Sequence, residues 1–268
     1  MKFGPGHPLA YPVCVTSGAL AVCLSWAPFG DLDQVAALAI VAVGIVGYTG
    51  FQLARASGLL PYGLADIGPR REDRTDTSRG EGDVAPRRDP SDSVSFDADS
   101  GRSDTDTGGA ERADTARIVE IKRVRQQHRL VSRSWLEITE NYRTRWLPVF
   151  FEPALLAMTA TVAEVTDRSV DTATLHFYPS GKARTSEPPG RLIDNPSRPD
   201  PDAPILATDS ARIRRRLLLD AQSTVAAPFV ALMWVYVAAG GFITFVAATS
   251  VAAVTATWLA AIRGSDPS

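Results

Sequence analysis

The sequence contains few of the residues from which most metal and catalytic sites are built. Its 268 residues include two cysteines, three histidines and three lysines. Cys14 and Cys23 lie nine positions apart, which places them on opposite faces of a helix and excludes a disulfide or a shared metal within one helix. We expect two buried, inert thiols. The histidines, His7, His128 and His176, have no metal-ligand spacing.

Motifs of the common enzyme classes are also missing. The chain has no G-x-S-x-G, P-loop, G-x-G-x-x-G, H-E-x-x-H or C-x-x-C pattern. Its acids outside the central linker have no paired spacing, and His176 lies between Leu175 and Phe177, which favours a structural role. We therefore predict that the protein is not an enzyme and has no catalytic residue, metal or cofactor.

An excess of positive charge is missing as well. The net charge is −2 and the pI is near 6.0, whereas a general nucleic-acid binder is usually basic overall. We predict no nucleic-acid partner. The apolar runs contain almost no ionisable residue, which argues against an ion-coupled transporter or a channel.

Two long apolar regions flank a charged middle. The first region holds two runs, 9–28 and 35–54, and each is long enough to cross a bilayer core of about 30 Å. The short loop between them predicts a transmembrane hairpin within 1–58. Gly44, Gly47 and Gly50 recur on the second run, and such small residues let helices pack closely in a membrane.

The second apolar region, 223–262, has forty residues without a charge. One helix of that length would reach about 60 Å, twice what a bilayer core needs. We expect a break at Gly240 and Gly241, which gives spans at about 222–239 and 242–262. These two glycines are also candidates for close helix packing. Trp234, Tyr236 and Trp258 are available as interfacial anchors.

Four arginines precede the third span: Arg212, Arg214, Arg215 and Arg216. We expect Asp209 or Ser210 to cap a helix that carries them straight into the membrane, within a basic juxtamembrane segment and hairpin at 208–263. They are candidates for a topology anchor and for contact with anionic lipid headgroups.

The other basic residues near the spans predict one common membrane orientation. Lys2 precedes the first span, Arg55, Arg70 and Arg71 follow the second, and Arg263 follows the fourth. Because positive residues stay inside, we predict a multi-pass protein of the cytoplasmic (inner) membrane, with both termini and the central domain in the cytoplasm.

The middle of the chain changes character twice. Residues 66–116 hold fourteen acids and eight arginines among small polar residues, a composition that predicts a disordered acidic linker. It could be a plain tether or a phosphorylated tail. Residues 117–133 then carry six basic side chains and one acid. If this segment is a helix, its apolar face is weak. The sequence leaves two interpretations open, a surface in contact with lipid and a helix face in solvent.

The segment 117–207 is predicted to form a small, mainly antiparallel β domain. Alternating and β-branched runs between about 133 and 180 predict four to six strands, with Pro148 at an edge or a bulge. Six prolines in 186–204 predict extended loop. The fold class is thus a membrane protein with four transmembrane helices in two hairpins, a small β domain and a long linker.

Several stretches in the second half resemble a group of actinobacterial four-span membrane proteins, the lipid-uptake coordinators that accompany Mce-type lipid importers. These stretches are "WLEI…RWLPVFFEP" at 135–153, "RLIDNPSRPDP" at 191–201, "RRLLLDAQSTVAAPF" at 215–229 and the closing "LAAIRGSDPS". The resemblance implies an accessory subunit that stabilises or regulates a larger transporter of fatty acids or sterols, with no catalytic residue to carry over.

Two alternatives belong to other functional classes. One is an envelope lipid-modifying enzyme, which a cleft that joins His176 to two acids would favour. The other is a membrane sensor whose acidic tail, 66–116, is phosphorylated on its many Ser and Thr residues.

Overall fold

The computed structural model describes residues 7–64, 116–198 and 200–268. The acidic linker that we predict at 66–116 lies outside the described residues except for Ala116, and so do both hypotheses about its role.

Four long apolar segments dominate the described chain, as the sequence predicts. The six α-helices are α1 (Ala10–Trp26), α2 (Leu32–Ala56), α3 (Ala203–Ala211), α4 (Ile213–Ala221), α5 (Ala227–Ala238) and α6 (Phe242–Ile262). The segments long and apolar enough to cross a membrane are Ala10–Phe29, Leu32–Ala56, Ile213–Ala238 and Phe242–Ile262. The first and third include short 3₁₀ turns, Ala27–Phe29 and Gln222–Ala226.

The third apolar segment begins earlier than the sequence predicts. Helix α3 ends at Ala211, Arg212 is extended (φ −61°, ψ 123°), and α4 starts at Ile213 without a side-chain cap. The expectation that Asp209 or Ser210 caps the arginine-bearing helix is therefore wrong, because both residues lie in the last turn of α3.

Helix α6 lies at the centre of the helical bundle. The buried residues Ala19, Cys23, Ile45, Trp258 and Ile262 form a cluster between α1, α2 and α6. The Trp258 indole nitrogen donates to the Thr49 hydroxyl at 3.0 Å, so this tryptophan joins α2 to α6. Cys23 is buried but Cys14 is exposed, so the expectation of two buried thiols is wrong for Cys14.

The turn between α5 and α6 falls where the glycine pair predicts it. Ala239 ends α5 in the left-handed conformation (φ 50°), and Gly241 precedes α6. A Cβ atom on Gly240 would lie 2.7 Å from the Thr244 side chain. Gly240 therefore permits a close approach, while Ala239 takes the positive φ angle.

An antiparallel half-barrel of seven strands forms between the two helical hairpins. The strands are β1 (Arg117–His128), β2 (Val131–Glu140), β3 (Arg143–Val149), β4 (Thr161–Val165), β5 (Val170–Asp171), β6 (His176–Phe177) and β7 (Arg191–Asp194). Their order is β3-β2-β1-β4-β5-β6. β1 pairs with β2 along one edge; along the other, its first half pairs with β4 and its second half with β7.

Three details of the β domain differ from the prediction. The basic segment 117–133 is not helical, since it forms β1 and the start of β2. In β1, Glu120 and Lys122 alternate with the buried Val119 and Ile121. The proline-rich segment 186–204 contains β7 in addition to loop. The sheet has seven strands rather than four to six. Two of the seven, β5 and β6, are only two residues long, which is too short to give an alternating sequence pattern. Pro148 lies in the edge strand β3, as predicted.

Two clusters attach the β domain to the first hairpin. Tyr62 and Leu64, which follow α2, are fully buried in the core of the half-barrel. Leu9, Ala56 and Phe150 form a second cluster between α1, α2 and the end of β3. Burial of these side chains fixes the domain at the ends of α1 and α2.

Candidate functional site

The described chain contains a cavity of about 1010 Å³ where the tip of the β1–β2 hairpin faces α4 and the end of α6. Its volume is at the upper end of the range of about 300–1,000 Å³ that is typical of ligand sites. Seven arginines line it: Arg125, Arg129, Arg133, Arg212, Arg214, Arg215 and Arg263. Leucines and alanines of α4 and α6 form the remaining wall, among them Leu218, Leu259 and Ala256.

Local structure brings these arginines together from three parts of the chain. The two-residue turn between β1 and β2 holds Arg129 at a positive φ of 55°, next to β1, which carries Arg125, and β2, which carries Arg133. The break at Arg212 and the first turn of α4 supply three more, and Arg263 follows α6. The cavity is therefore basic on its polar side and apolar on its helical side.

Among the described residues, the acids at this cavity pair with one of its seven arginines. Asp209 pairs with Arg212 at 2.9 Å. Asp266 is engaged by Arg123, which does not line the cavity, and Asp220 accepts hydrogen bonds from hydroxyl groups. Within the described part of the chain, the other six lining arginines have no acid within 4.0 Å.

Burial and mutual repulsion act on the deepest of these arginines. Burial, and then the positive charge of Arg263, lower the pKa of Arg133. Burial also lowers the pKa of Arg125, with Asp266 opposing this and Arg123 and Arg215 adding to it. Since arginine remains protonated in proteins, both shifts show guanidinium groups that are partly desolvated, with neighbouring cations adding repulsion. A bound anion would relieve that repulsion.

A buried polar network holds the segment after α6 against the sheet. Arg123 donates to Asp266 at 2.7 Å and to Asn195 at 2.6 Å, and the Ser134 hydroxyl donates to Asp266 at 2.6 Å. Burial alone would raise the pKa of Asp266, but Arg123 and hydrogen bonds from Ser134 and Ser268 outweigh it and keep the pKa below its ordinary value. This network fixes Arg263 beside the hairpin.

A second buried network beside the cavity joins α1, α4, the β domain and the segment after α6. The Tyr11 hydroxyl donates to Asp220 at 2.6 Å, and the Ser265 hydroxyl donates to the same carboxylate at 3.0 Å. Arg216 lies over the Tyr11 ring at 4.0 Å from its centre and within 5.6 Å of the Phe151 ring centre.

The structure divides the four arginines that the sequence groups together. Arg212, Arg214 and Arg215 are exposed and line the cavity. Arg216 is only 8 % exposed and points to Tyr11, so headgroup contact does not fit this residue. Helical spacing explains the difference, because Arg216 and the buried Asp220 share the inward face of α4.

The predicted helix-packing glycines of α2 do not pack within the described chain. Gly44, Gly47 and Gly50 are exposed, and a Cβ atom on any of them would have no atom of another helix within 4 Å. The buried face of α2 is instead formed by Ile45, Thr49, Gln52 and Ala56.

His176 lies apart from the cavity. Its ring nitrogen Nδ1 contacts the Asp171 carboxylate, and its charge opposes the effect of burial, which raises the pKa of Glu152. His176 thus has two acids nearby, but it does not line the basic cavity. Within residues 7–64, 116–198 and 200–268, no group of three His, Cys, Asp or Glu residues could hold a metal.

Sequence reasoning found part of this site and missed part. The charge pattern identifies the basic segment 117–133 and the arginines before the third span. It does not show that these two segments lie close together in the fold. Asp220 was missed because it falls just before the predicted span. No protein-family model, curated protein or solved structure matches this chain.

Proposed function

We propose that this protein is a non-enzymatic, multi-pass membrane protein that binds the anionic headgroup of a membrane lipid in its arginine-lined cavity. The observation that carries the proposal is the set of six cavity arginines with no acidic partner among the described residues. Their guanidinium groups match the bidentate geometry of phosphate and carboxylate oxygens.

The position of the cavity favours a lipid over a soluble anion. Arg214 and Arg215 begin the third apolar segment, and Arg263 directly follows the fourth. All three are therefore at the height where lipid headgroups meet water. Each basic residue near an anionic membrane surface contributes about 1 kcal/mol. The apolar wall from α4 and α6 offers no hydrogen bonds to a fully hydrated ion.

The proposed orientation follows from the same residues. Positive residues are retained on the cytoplasmic side, so the cavity, the β domain and both termini face the cytoplasm of the inner membrane. The anionic lipids of the cytoplasmic leaflet would then be the ligands.

The proposed cellular role is that of an accessory subunit that stabilises or regulates a lipid-import complex for fatty acids or sterols. The resemblance to lipid-uptake coordinators supports this role. The exposed apolar faces of α2, including Gly44, Gly47 and Gly50, offer a surface on which another helical bundle could pack closely.

Headgroup selectivity tests the binding proposal. The full-length protein is reconstituted with spin-labelled phosphatidylglycerol or with phosphatidylcholine of the same chains, and the motionally restricted fraction is measured. We expect selection of phosphatidylglycerol, and the double variant Arg214→Gln/Arg215→Gln should weaken it by up to about thirtyfold, at about 1 kcal/mol for each arginine. Equal restriction of both lipids by the natural protein would refute headgroup binding.

Affinity purification in mild detergent tests the accessory role separately. We expect membrane transporter subunits to co-purify with the natural protein. Recovery of the protein alone from membranes that contain such a transporter would contradict the accessory role and leave lipid binding to stand by itself.

A further inference from the structure

The arginines of the basic cavity leave the β1–β2 hairpin on both of its faces. Arg133 pairs with Gln126 in the strand register, and Arg125 is the residue before Gln126. Since successive residues of a strand point to opposite faces, the side chains of Arg125 and Arg133 lie on different sides of the hairpin. Both line the cavity, which therefore has a basic wall on each side of the hairpin tip.

Each of these two arginines lies near an arginine of a helical segment. Arg125 is repelled by Arg215 of α4, and Arg133 is repelled by Arg263, which follows α6. Arg214 precedes Arg215 in the first turn of α4 and also lines the cavity. We call Arg125, Arg214 and Arg215 the first position, and Arg133 with Arg263 the second position.

Different contacts hold the two positions in place. At the first position, the Arg125 side-chain Nε donates to the Ser132 hydroxyl at 3.0 Å. At the second position, an isolated β-bridge pairs Arg133 with Ser265, two residues after Arg263. The second position is therefore built by the hairpin and the segment after α6, without a residue of α4.

A ligand with two phosphates fits this cavity better than a ligand with one. A volume of about 1010 Å³ is enough for a drug-sized molecule, so a single phosphate would leave most of the space to water. A phosphate at one position would also leave the arginines of the other position without a counter-charge, because no acid of the described chain lies within 4.0 Å of them.

We propose that the ligand is a lipid whose headgroup carries two phosphates joined by a short linker, as in cardiolipin, with one phosphate at each position. This inference rests on the proposed headgroup binding and adds the number of phosphates and their places. The linker is needed because the two positions are on opposite sides of the hairpin. Basic pockets between transmembrane helices suit such headgroups, and the apolar wall with Leu218, Ala256 and Leu259 favours a lipid over a soluble bisphosphate.

Competition between lipids tests this arrangement. The full-length protein is reconstituted with spin-labelled phosphatidylglycerol, which is then displaced by unlabelled cardiolipin, phosphatidylglycerol or phosphatidic acid at equal lipid phosphate. Each arginine near an anionic lipid contributes about fivefold to affinity. The two arginines of the second position should therefore make cardiolipin up to about thirtyfold more effective than phosphatidylglycerol. Phosphatidic acid, which has one phosphate, should remain well below cardiolipin.

Variants at the two positions should differ in their effect on the two lipids. Arg263→Gln should lower the advantage of cardiolipin over phosphatidylglycerol about fivefold, whereas Arg214→Gln/Arg215→Gln should weaken binding of both lipids. Arg143→Gln makes the same change at an exposed position outside the cavity and should alter neither. Because Arg263 is exposed, its replacement should leave the unfolding temperature unchanged. An equal loss of both lipids in Arg263→Gln would overturn the separate second position.

The outcomes separate this inference from the proposed headgroup binding. Equal displacement by cardiolipin and phosphatidylglycerol would overturn the second phosphate and leave headgroup binding in place. Displacement by phosphatidic acid as strong as that by cardiolipin would also overturn it, because charge alone would then explain the selection. A deacylated cardiolipin headgroup that competes as well as the lipid would overturn the choice of a lipid. Absence of selection for phosphatidylglycerol over phosphatidylcholine in the natural protein would overturn both proposals.

Discussion

At the scale of single residues, neighbours in sequence have different roles because a helix turns them to different surroundings. Arg215 is exposed at the cavity, whereas Arg216 is buried over the Tyr11 ring. A run of arginines does not reveal this division, since it depends on which face of α4 meets α1.

Substitution of the two arginines should therefore give different results. Arg216→Gln removes a desolvated cation from Tyr11 and should lower the free energy of unfolding by about 2 kcal/mol. Arg215→Gln should change it by less than about 0.5 kcal/mol. Thermal unfolding of the detergent-solubilised protein checks this, and equal effects of the two changes would contradict the assigned roles.

The buried ion pair between Arg123 and Asp266 predicts a dependence on pH. Because the folded pKa of Asp266 is below its unfolded value of about 3.9, its stabilisation is complete above that pH and disappears as the pH falls through the folded pKa. Asp266→Asn should cost about 3–5 kcal/mol at pH 7, because Arg123 is left buried without its partner.

The difference in unfolding temperature between Asp266→Asn and the natural protein should thus shrink below about pH 4. Asp194→Asn is the matched control, since it removes the exposed partner of Lys122, a pair worth less than about 1 kcal/mol. A pH-independent difference for Asp266→Asn would show that the pair does not titrate as proposed.

At the scale of elements, one glycine controls how the segment after α6 reaches the sheet. Gly264 has a φ of 78°, and a Cβ atom there would lie 2.7 Å from the Ser180 hydroxyl oxygen and 3.2 Å from the Val149 carbonyl oxygen. This turn connects Arg263 of the cavity to Ser265 and Asp266 of the buried networks.

Gly264→Ala should therefore loosen this segment. Strain at a positive φ angle costs about 1 kcal/mol or more, and the steric contacts add to it. We expect a lower unfolding temperature and faster proteolysis after α6. Gly241→Ala, at an open position with a negative φ, should have neither effect, and similar behaviour of the two variants would argue against a role for the turn.

Elements with a strong local pattern were predictable from the sequence. Four apolar helices, the turn near Gly240 and strands such as β2 follow from hydropathy, glycine and alternation. β1 was not predicted as a strand because its charges mask the alternation of Val119 and Ile121. β7 was not predicted either, because its pairing with β1 is non-local. The break at Arg212 has no glycine or proline to mark it.

At the scale of the whole molecule, the candidate site exists only because distant segments meet. The cavity combines a β-hairpin, the start of one apolar helix and the end of another. The sequence predicts each basic run but not their shared position, because that position depends on the docking of the β domain through Tyr62, Phe150 and Asp266.

Membrane orientation can be tested on the intact protein. In a background with Cys14→Ala and Cys23→Ala, Tyr142→Cys lies on the β2–β3 turn and Asp33→Cys in the first turn of α2, beside the loop between α1 and α2. Because positive residues stay inside, a membrane-impermeant maleimide should label only Asp33→Cys in intact cells and both variants after lysis. Labelling of Tyr142→Cys in intact cells would reverse the proposed orientation of the cavity.

The most direct test of lipid binding at the cavity is native mass spectrometry of protein extracted from its own membrane. The natural protein should retain anionic phospholipid. Arg125→Gln/Arg214→Gln/Arg215→Gln should lose most of it, while Arg143→Gln/Arg191→Gln, which changes exposed arginines outside the cavity, should retain it. Equal retention of anionic lipid by the natural protein and the cavity variant would contradict the account.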